Sequence, residues 1–282
     1  MLSPDSLLSR VIMSALLAAL LALLVWRAVR KDRREYQHFK ALRDTTSRQR
    51  ILRKWVLESL LFFGGSAAVI LVLVWQFVPR MLAQVEGYPA ALAFRQFVAD
   101  SNGVFVAVVI GVVVAAIAGG VLFVVLLRNS TEIPTIGDIG ALLPRNRQEL
   151  GYGVALSLNA GVVEELLFRL AVPALVFGIT GNAAVAIVGS ILLFAALHLY
   201  QGAAGIVGAL AIGTLLMLIY LATGIILWPI LAHALIDLRS LVLIPMVIYR
   251  VHRVSGLEDV DGDLPVDDGA DPPVEELTET PS

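Results

Sequence analysis

Long apolar runs, separated by short polar breaks, dominate this chain. Residues 7–29 form the first run, long enough to cross a hydrocarbon core of about 30 Å. Further runs follow at about Trp55 to Val78 and Val104 to Leu127. Leu150 to Thr180 is too long for one untilted span. Ala183 to Tyr200 and Ala203 to Ala222 make two more, and the last begins near Ile225. The run from Ala203 is rich in small residues (Gly205, Gly208, Ala209, Ala211, Gly213), which let helices approach closely in lipid, so it reads as an internal packing helix. The pattern predicts an all-α polytopic transmembrane helix bundle of about seven spans, with a disordered acidic C-terminal tail.

The polar breaks orient the bundle. Residues 27–54 carry eleven Lys or Arg and three acids, which places this loop in the cytoplasm and the N-terminus outside. Trp26 and Trp55 flank it as interfacial anchors. A surface helix attracted to anionic lipid is expected there, rather than a nucleic-acid site. Residues 80–103 are an external connection. Residues 128–149, punctuated by Gly, Pro and Asn, return to the cytoplasm. They divide an N-terminal membrane anchor region (1–149, three spans) from a C-terminal unit (150–250) that is expected to hold the buried polar candidates. Arg250 and Arg253 mark the cytoplasmic edge again. Leu257 to Ser282 contains ten acids and no basic residue, so 251–282 reads as a solvated tail unable to bury a core. The first run is too long for a cleaved leader and reads as a retained anchor, and no internal repeat is visible.

Composition narrows the chemistry. With 58% hydrophobic and 16% charged residues, a soluble domain is excluded. With no cysteine, so are disulfides, thiolate catalysis and zinc–thiolate sites. The expected location is an integral membrane site, in a plasma or inner membrane, with the C-terminus cytoplasmic.

Against this background, ionisable groups inside apolar runs mark a functional site. They are Glu164, Glu165, Arg169, His198, His233, Asp237 and Arg239. Glu165 and Arg169 are four residues apart and can pair on one helix face, whereas Glu164 points about 100° away. His233 and Asp237 also share a face. Convergence on one cavity lets such groups satisfy one another. Depth decides whether they can meet. If the last helix runs unbroken to Ile248, His233 lies roughly 20 Å deeper than His198. The expectation is therefore that this helix ends near Arg239, with Leu241 to Tyr249, broken by Pro245, along the interface. Likewise Leu150 to Asn159 would lie in the interface and the span would start near Gly161.

Glu164 with His198 can activate a water as general base, and His233 can donate to the oxyanion of a tetrahedral intermediate. Alternatively Glu164, His198 and His233 could hold a divalent metal such as zinc. No H-E-x-x-H or G-x-S-x-G occurs.

E-E-L-L-F-R at 164–169, F-A-A-L-H at 194–198 and H-A-L-I-D at 233–237, in that order on successive runs, resemble the CAAX protease and bacteriocin-processing family of intramembrane endopeptidases, whose motifs are E-E-x-x-x-R, F-x-x-x-H and H-x-x-x-N or D. The resemblance covers about residues 150–240. It implies hydrolysis of a peptide bond in a peptide or membrane-protein substrate, with no cofactor required. It implies Glu164 and His198 as the water-activating pair, Glu165 and Arg169 as support, and His233 with Asp237 at the oxyanion. Prenyl-processing members usually carry Asn where Asp237 stands. Rival readings are a non-catalytic scaffold or immunity protein of the same fold, and a proton-coupled transporter. For Glu165 with Arg169, a bracing ion pair weighs as much as a chemical role. Arg239 reads as a snorkelling interface residue, and Phe194 and Trp228 as packing or interface anchors.

Overall fold

The computed structural model describes residues 6–28, 33–104 and 140–255, with isolated positions between the last two stretches. The expected third span at 104–127 lies outside these residues but for isolated positions, and so does the acidic tail beyond residue 255; its first residues, expected to be solvated, instead form a tight turn at Val251–Arg253 with Val251 buried and the Val254 carbonyl accepting from the Arg147 N–H. The described residues are helical, with no strand among them. Four helices are long and apolar enough to cross a membrane: Leu7–Trp26, Thr45–Val74, Gly202–Thr223 and Leu227–Val247. Ala183–Leu197 is apolar but shorter. Seven spans are therefore not reached among the described residues; the chain is an integral membrane protein whose described residues are helical, with four membrane-length helices among them.

Helix α1 spans Leu7–Trp26, and the short surface helix α2 spans Arg33–Ala41. Helix α3, Thr45–Ser59, starts ten residues before the tryptophan expected to open the second span. Its cap is Asp44, whose carboxylate accepts from the backbone N–H groups of Thr46 and Ser47. Hydrogen bonding from Ser47 holds the Asp44 carboxyl below its ordinary range. A wide turn at Leu60–Gly64 carries α3 into α4, Gly65–Val74. The stretch expected as an external connection is largely helical: α5 covers Phe77–Glu86 and α6 Pro89–Asp100, the latter opened by proline in its first turn.

The C-terminal part begins with α7, Arg147–Glu165. There is no break at Gly161. The helix passes through a wide turn at Leu166–Ala171 into α8, Val172–Thr180, and stops at Gly181, which adopts φ +67°. Helix α9, Ala183–Leu197, ends in a tight turn at His198–Gln201. Helix α10, Gly202–Thr223, ends at left-handed Gly224. Helix α11, Leu227–Leu238, does not end at Arg239 as expected. It continues through a third wide turn, Arg239–Leu243, into α12, Ile244–Val247. Wide turns of this kind, with bonds five residues apart, absorb an extra residue without ending a helix.

Lipid tails are as apolar as Leu, so close contact rather than hydrophobicity decides which faces meet. The buried positions of α7 include Glu149, Gly153, Ser157, Gly161 and Glu165, one every four residues. Small residues occupy the middle of that stripe and carboxylates its two ends. A methyl group on Gly161 would lie 3.0 Å from Ala234 and 3.1 Å from the Ile230 carbonyl oxygen. One on Gly153 would lie 2.7 Å from the Leu241 carbonyl oxygen. These contacts run antiparallel along α7 and along α11 with the wide turn that extends it, and α7 and α11 are the pair that packs most extensively. Helix α3 packs on another part of α7, and α9 packs against both α8 and α10.

Candidate functional site

Helix α7 delivers Glu164 and Glu165 at its last turn, and the wide turn that follows delivers Arg169. Glu165 and Arg169 are 0% and 1% exposed. The Glu165 Oε2 to Arg169 Nε distance is 3.0 Å, the intrahelical pair expected from the spacing. Alignment for a hydrogen bond is absent there, and the Arg169 Nε and Nη2 atoms have no hydrogen-bond partner among the described residues. Charge and the aromatic face of Phe194, 5.0 Å from the guanidinium carbon, hold this cation.

The other carboxylate oxygen of Glu165 reaches the third motif. His233 Nδ1–H donates to Glu165 Oε1 at 2.8 Å. Nδ1 carries a proton in this contact, because its partner is a carboxylate, and Nε2 carries a second one in the imidazolium form. His233 Nε2 faces Asp237 Oδ2 at 3.7 Å, beyond hydrogen-bond length, and the Asp237 side chain is 30% exposed. His198 follows the same logic of one fixed nitrogen: Nδ1–H donates to the Phe194 carbonyl at 2.9 Å. In the neutral ring this leaves the basic lone pair on Nε2.

Phe194 is the hub. Its ring lies 4.8 Å from the His198 ring, 6.2 Å from the His233 ring and 5.3 Å, edge-on, from Phe168. All three motif segments thus meet around one buried phenylalanine, which sequence reasoning took for a packing or interface anchor. Trp228, its companion in that reading, is largely exposed, as is Arg239.

Glu164 stands apart from its neighbour. It is half-buried and makes no hydrogen bond among the described residues. It lies within electrostatic reach of His233, Asp237 and Arg169. The depth objection to a meeting of His198 and His233 fails on geometry. Helix α9 is only 15 residues long, and α11 runs on past Arg239, yet both imidazoles contact the same ring. A helix of 15 residues rises roughly 22 Å, short of a full span.

Residues 146–239 match the family Rce1-like, described as type II CAAX prenyl endopeptidase Rce1-like. The match opens at Asn146, the cap of α7, and closes at Arg239, so it takes in all six motif residues. The motif resemblance is borne out for this segment, which supports an intramembrane protease family. Neither a curated protein nor a solved structure gives a significant match.

Metal ligation was the open alternative. Among the described residues no group of three or more His, Cys, Asp or Glu side chains is arranged to hold a metal ion. Glu165 and the Phe194 carbonyl each occupy one nitrogen of a histidine, and Glu164, His198 and His233 do not converge as a ligand set.

Buried charge also occurs outside the C-terminal unit, where sequence reasoning placed none. Arg48 and Glu149 are both 0% exposed. Arg48 Nε and Nη2 donate to the two Glu149 oxygens at 2.9 and 3.1 Å. Nη2 also donates to the carbonyls of Ala141 and Leu143, and the Arg145 N–H donates to Glu149 at 3.0 Å. The Arg48 guanidinium carbon lies 4.2 Å from the centre of the Phe39 ring. Burial lowers the neighbouring Arg145 guanidinium below its ordinary range, with Arg48 adding to the effect. The sequence signal was the Glu149–Gly153–Ser157–Gly161–Glu165 spacing, which sets two carboxylates and a small-residue stripe on one face.

Proposed function

We propose that this protein is an endopeptidase that hydrolyses a peptide bond within or beside the membrane, using water activated by Glu164 and His198. The observation that carries the reading is the split between adjacent glutamates. Glu165 is buried and engaged, by a hydrogen bond from His233 at 2.8 Å and an ion pair with Arg169 at 3.0 Å, whereas Glu164 beside it is half-buried and its carboxylate makes no hydrogen bond among the described residues. Glu164, assisted by Nε2 of His198, takes the proton of the attacking water and passes it to the leaving amine. His233 is held by Glu165 through Nδ1, so its Nε2 side is turned to the reaction. In the imidazolium form, with Nδ1–H given to Glu165, the Nε2–H donates to the developing oxyanion, and Asp237 orients the ring. Arg169 offsets the charge of Glu165 and keeps it in place. The family description makes a C-terminal prenylated CAAX peptide the first substrate to offer.

The test is cleavage of a fluorogenic farnesylated CAAX peptide by protein in nanodiscs. A parallel comparison of membrane peptides from cells carrying parent and Glu164→Gln protein covers a non-prenylated substrate. Glu164→Gln is expected to lower kcat by roughly 10²–10⁴-fold. If Glu164→Gln, His198→Ala and His233→Ala all leave cleavage of a verified substrate intact, the site is wrong.

The eleven basic residues of 27–54 support a cytoplasmic position for that loop, with the N-terminus outside, in a plasma or inner membrane. The chain lacks cysteine, so single substitutions report sidedness directly. Arg43→Cys should react with an impermeant maleimide only after the cytoplasmic face is opened, and Gly87→Cys in intact cells. The reverse pattern would invert the topology.

A further inference from the structure

The wide turn that carries Arg169 leaves one carbonyl stranded. The Val172 N–H donates five residues back, to Leu167, instead of to Phe168 as an α-helix would require. Continuing the wide register by one residue would give the Phe168 carbonyl to residue 173, but that residue is proline and has no N–H. Neither helical register supplies Phe168 with a donor. The site is dry, since Phe168 is 1% exposed, and an orphan carbonyl there is unfavourable. Helix α9 supplies the missing donor: the Ser190 hydroxyl, itself 0% exposed, donates to the Phe168 carbonyl at 2.6 Å.

Ser190 occupies a definite place in the site. Ser190, Phe194 and His198 follow one another at intervals of four, so they lie along one stripe of α9 and its terminal turn. The first fixes the wide turn, the second carries the ring against Phe168, Arg169 and both histidines, and the third bears the proposed base. We propose that Ser190 is a positioning residue. By holding the Phe168 carbonyl across the α9 interface, it sets the register between the wide turn bearing Arg169 and the helix bearing Phe194 and His198. It touches neither water nor substrate and acts through the placement of Phe168 and Arg169. This rests on the peptidase reading above for its kinetic test, but the geometry can be tested without it.

The test uses Ser190→Ala, Pro173→Ala and the double variant in the full-length protein. Ser190→Ala is expected to lower kcat by roughly tenfold to a hundredfold, as small misplacements of catalytic groups do, with KM within about twofold of the parent. Pro173→Ala restores an N–H at the position from which the wide register reaches Phe168. The double variant should therefore regain most of the lost kcat, a coupling that a mere packing role for Ser190 does not produce. Nitrogen-15 spectra of the labelled histidines in micelles read the same cycle without any substrate. Ser190→Ala should shift the ring signals of His198 and His233 and leave those of His38 and His252 at their parent positions. The double variant should return them. Ser190→Ala with parent kcat, a loss that Pro173→Ala does not repair, or unmoved His198 and His233 signals would overturn the proposal. If no variant and no parent cleaves, the peptidase reading falls and the spectra still decide the role of Ser190.

Discussion

One peptide unit separates Glu164 from Glu165, and the two carboxylates have opposite surroundings. Glu165 is wholly buried between Arg169 and His233, so removing it strands a desolvated guanidinium and an imidazole donor. Breaking a buried pair from one side costs about 3–5 kcal/mol, and Glu165→Ala should show a loss of that order in thermal unfolding in detergent. Glu165→Gln keeps an acceptor for His233 while removing the charge opposite Arg169, so its loss should be intermediate. Glu164→Gln should stay within about 0.5 kcal/mol of the parent despite its loss of kcat, because nothing described depends on that carboxylate for a hydrogen bond. Equal destabilisation by Glu164→Gln and Glu165→Ala would mean that the two share one structural role. The Glu165–Arg169 pair was legible in the sequence, because both residues lie on one helix and the spacing alone brings them together. The Glu165–His233 bond was not, since it joins residues 68 apart and depends on how α7 and α11 pack.

The packing of these elements turns on which glycines face a neighbour. Gly151 and Gly153 lie two residues apart in α7 and give opposite expectations. A methyl group at 151 meets nothing within 4 Å, and there Ala should stabilise the helix by about 0.5–1 kcal/mol. At 153 it would sit 2.7 Å from the Leu241 carbonyl oxygen, a backbone atom that cannot step aside. That carbonyl lies four residues before Pro245, which has no N–H to offer it, and the bare Gly153 lets α7 close against it. Gly153→Ala should therefore destabilise by about 1–3 kcal/mol, and unfolding of the two variants side by side checks both signs. The helices themselves were legible because their apolar runs are long and bounded by turn residues. Their continuity was not. Pro245 read as a break, and the structure passes it, as it passes Pro173, by widening the preceding turn, at Arg239–Leu243 and Leu166–Ala171. A wide turn is favoured by tertiary contacts, such as Ser190 on Phe168, that no local pattern reveals.

Across the whole molecule, the buried carboxylates at the two ends of the α7 stripe, roughly 24 Å apart along the helix, serve different partners. Glu165 joins α7 to the helix carrying His233. Glu149 joins α7 to Arg48, and so ties the basic N-terminal region to the start of the matched segment. The same junction is reinforced by Asn146 Nδ2 donating to Thr45 at 2.7 Å and Arg145 donating to the Leu42 carbonyl at 2.9 Å. Arg48→Ala should therefore cost about 3–5 kcal/mol in unfolding, since it leaves Glu149 charged and dry. Replacing both members by apolar residues of similar size, Arg48→Met with Glu149→Leu, removes the charge problem and should recover part of that loss. Recovery should be incomplete for a stated reason. Arg48 also serves the carbonyls of Ala141 and Leu143, and Glu149 the Arg145 N–H, and the double variant leaves all three without these partners. A double variant as stable as the parent would show that those backbone groups find other partners. A single Arg48→Ala variant within about 1 kcal/mol of the parent would show that the ion pair is not what joins the two regions.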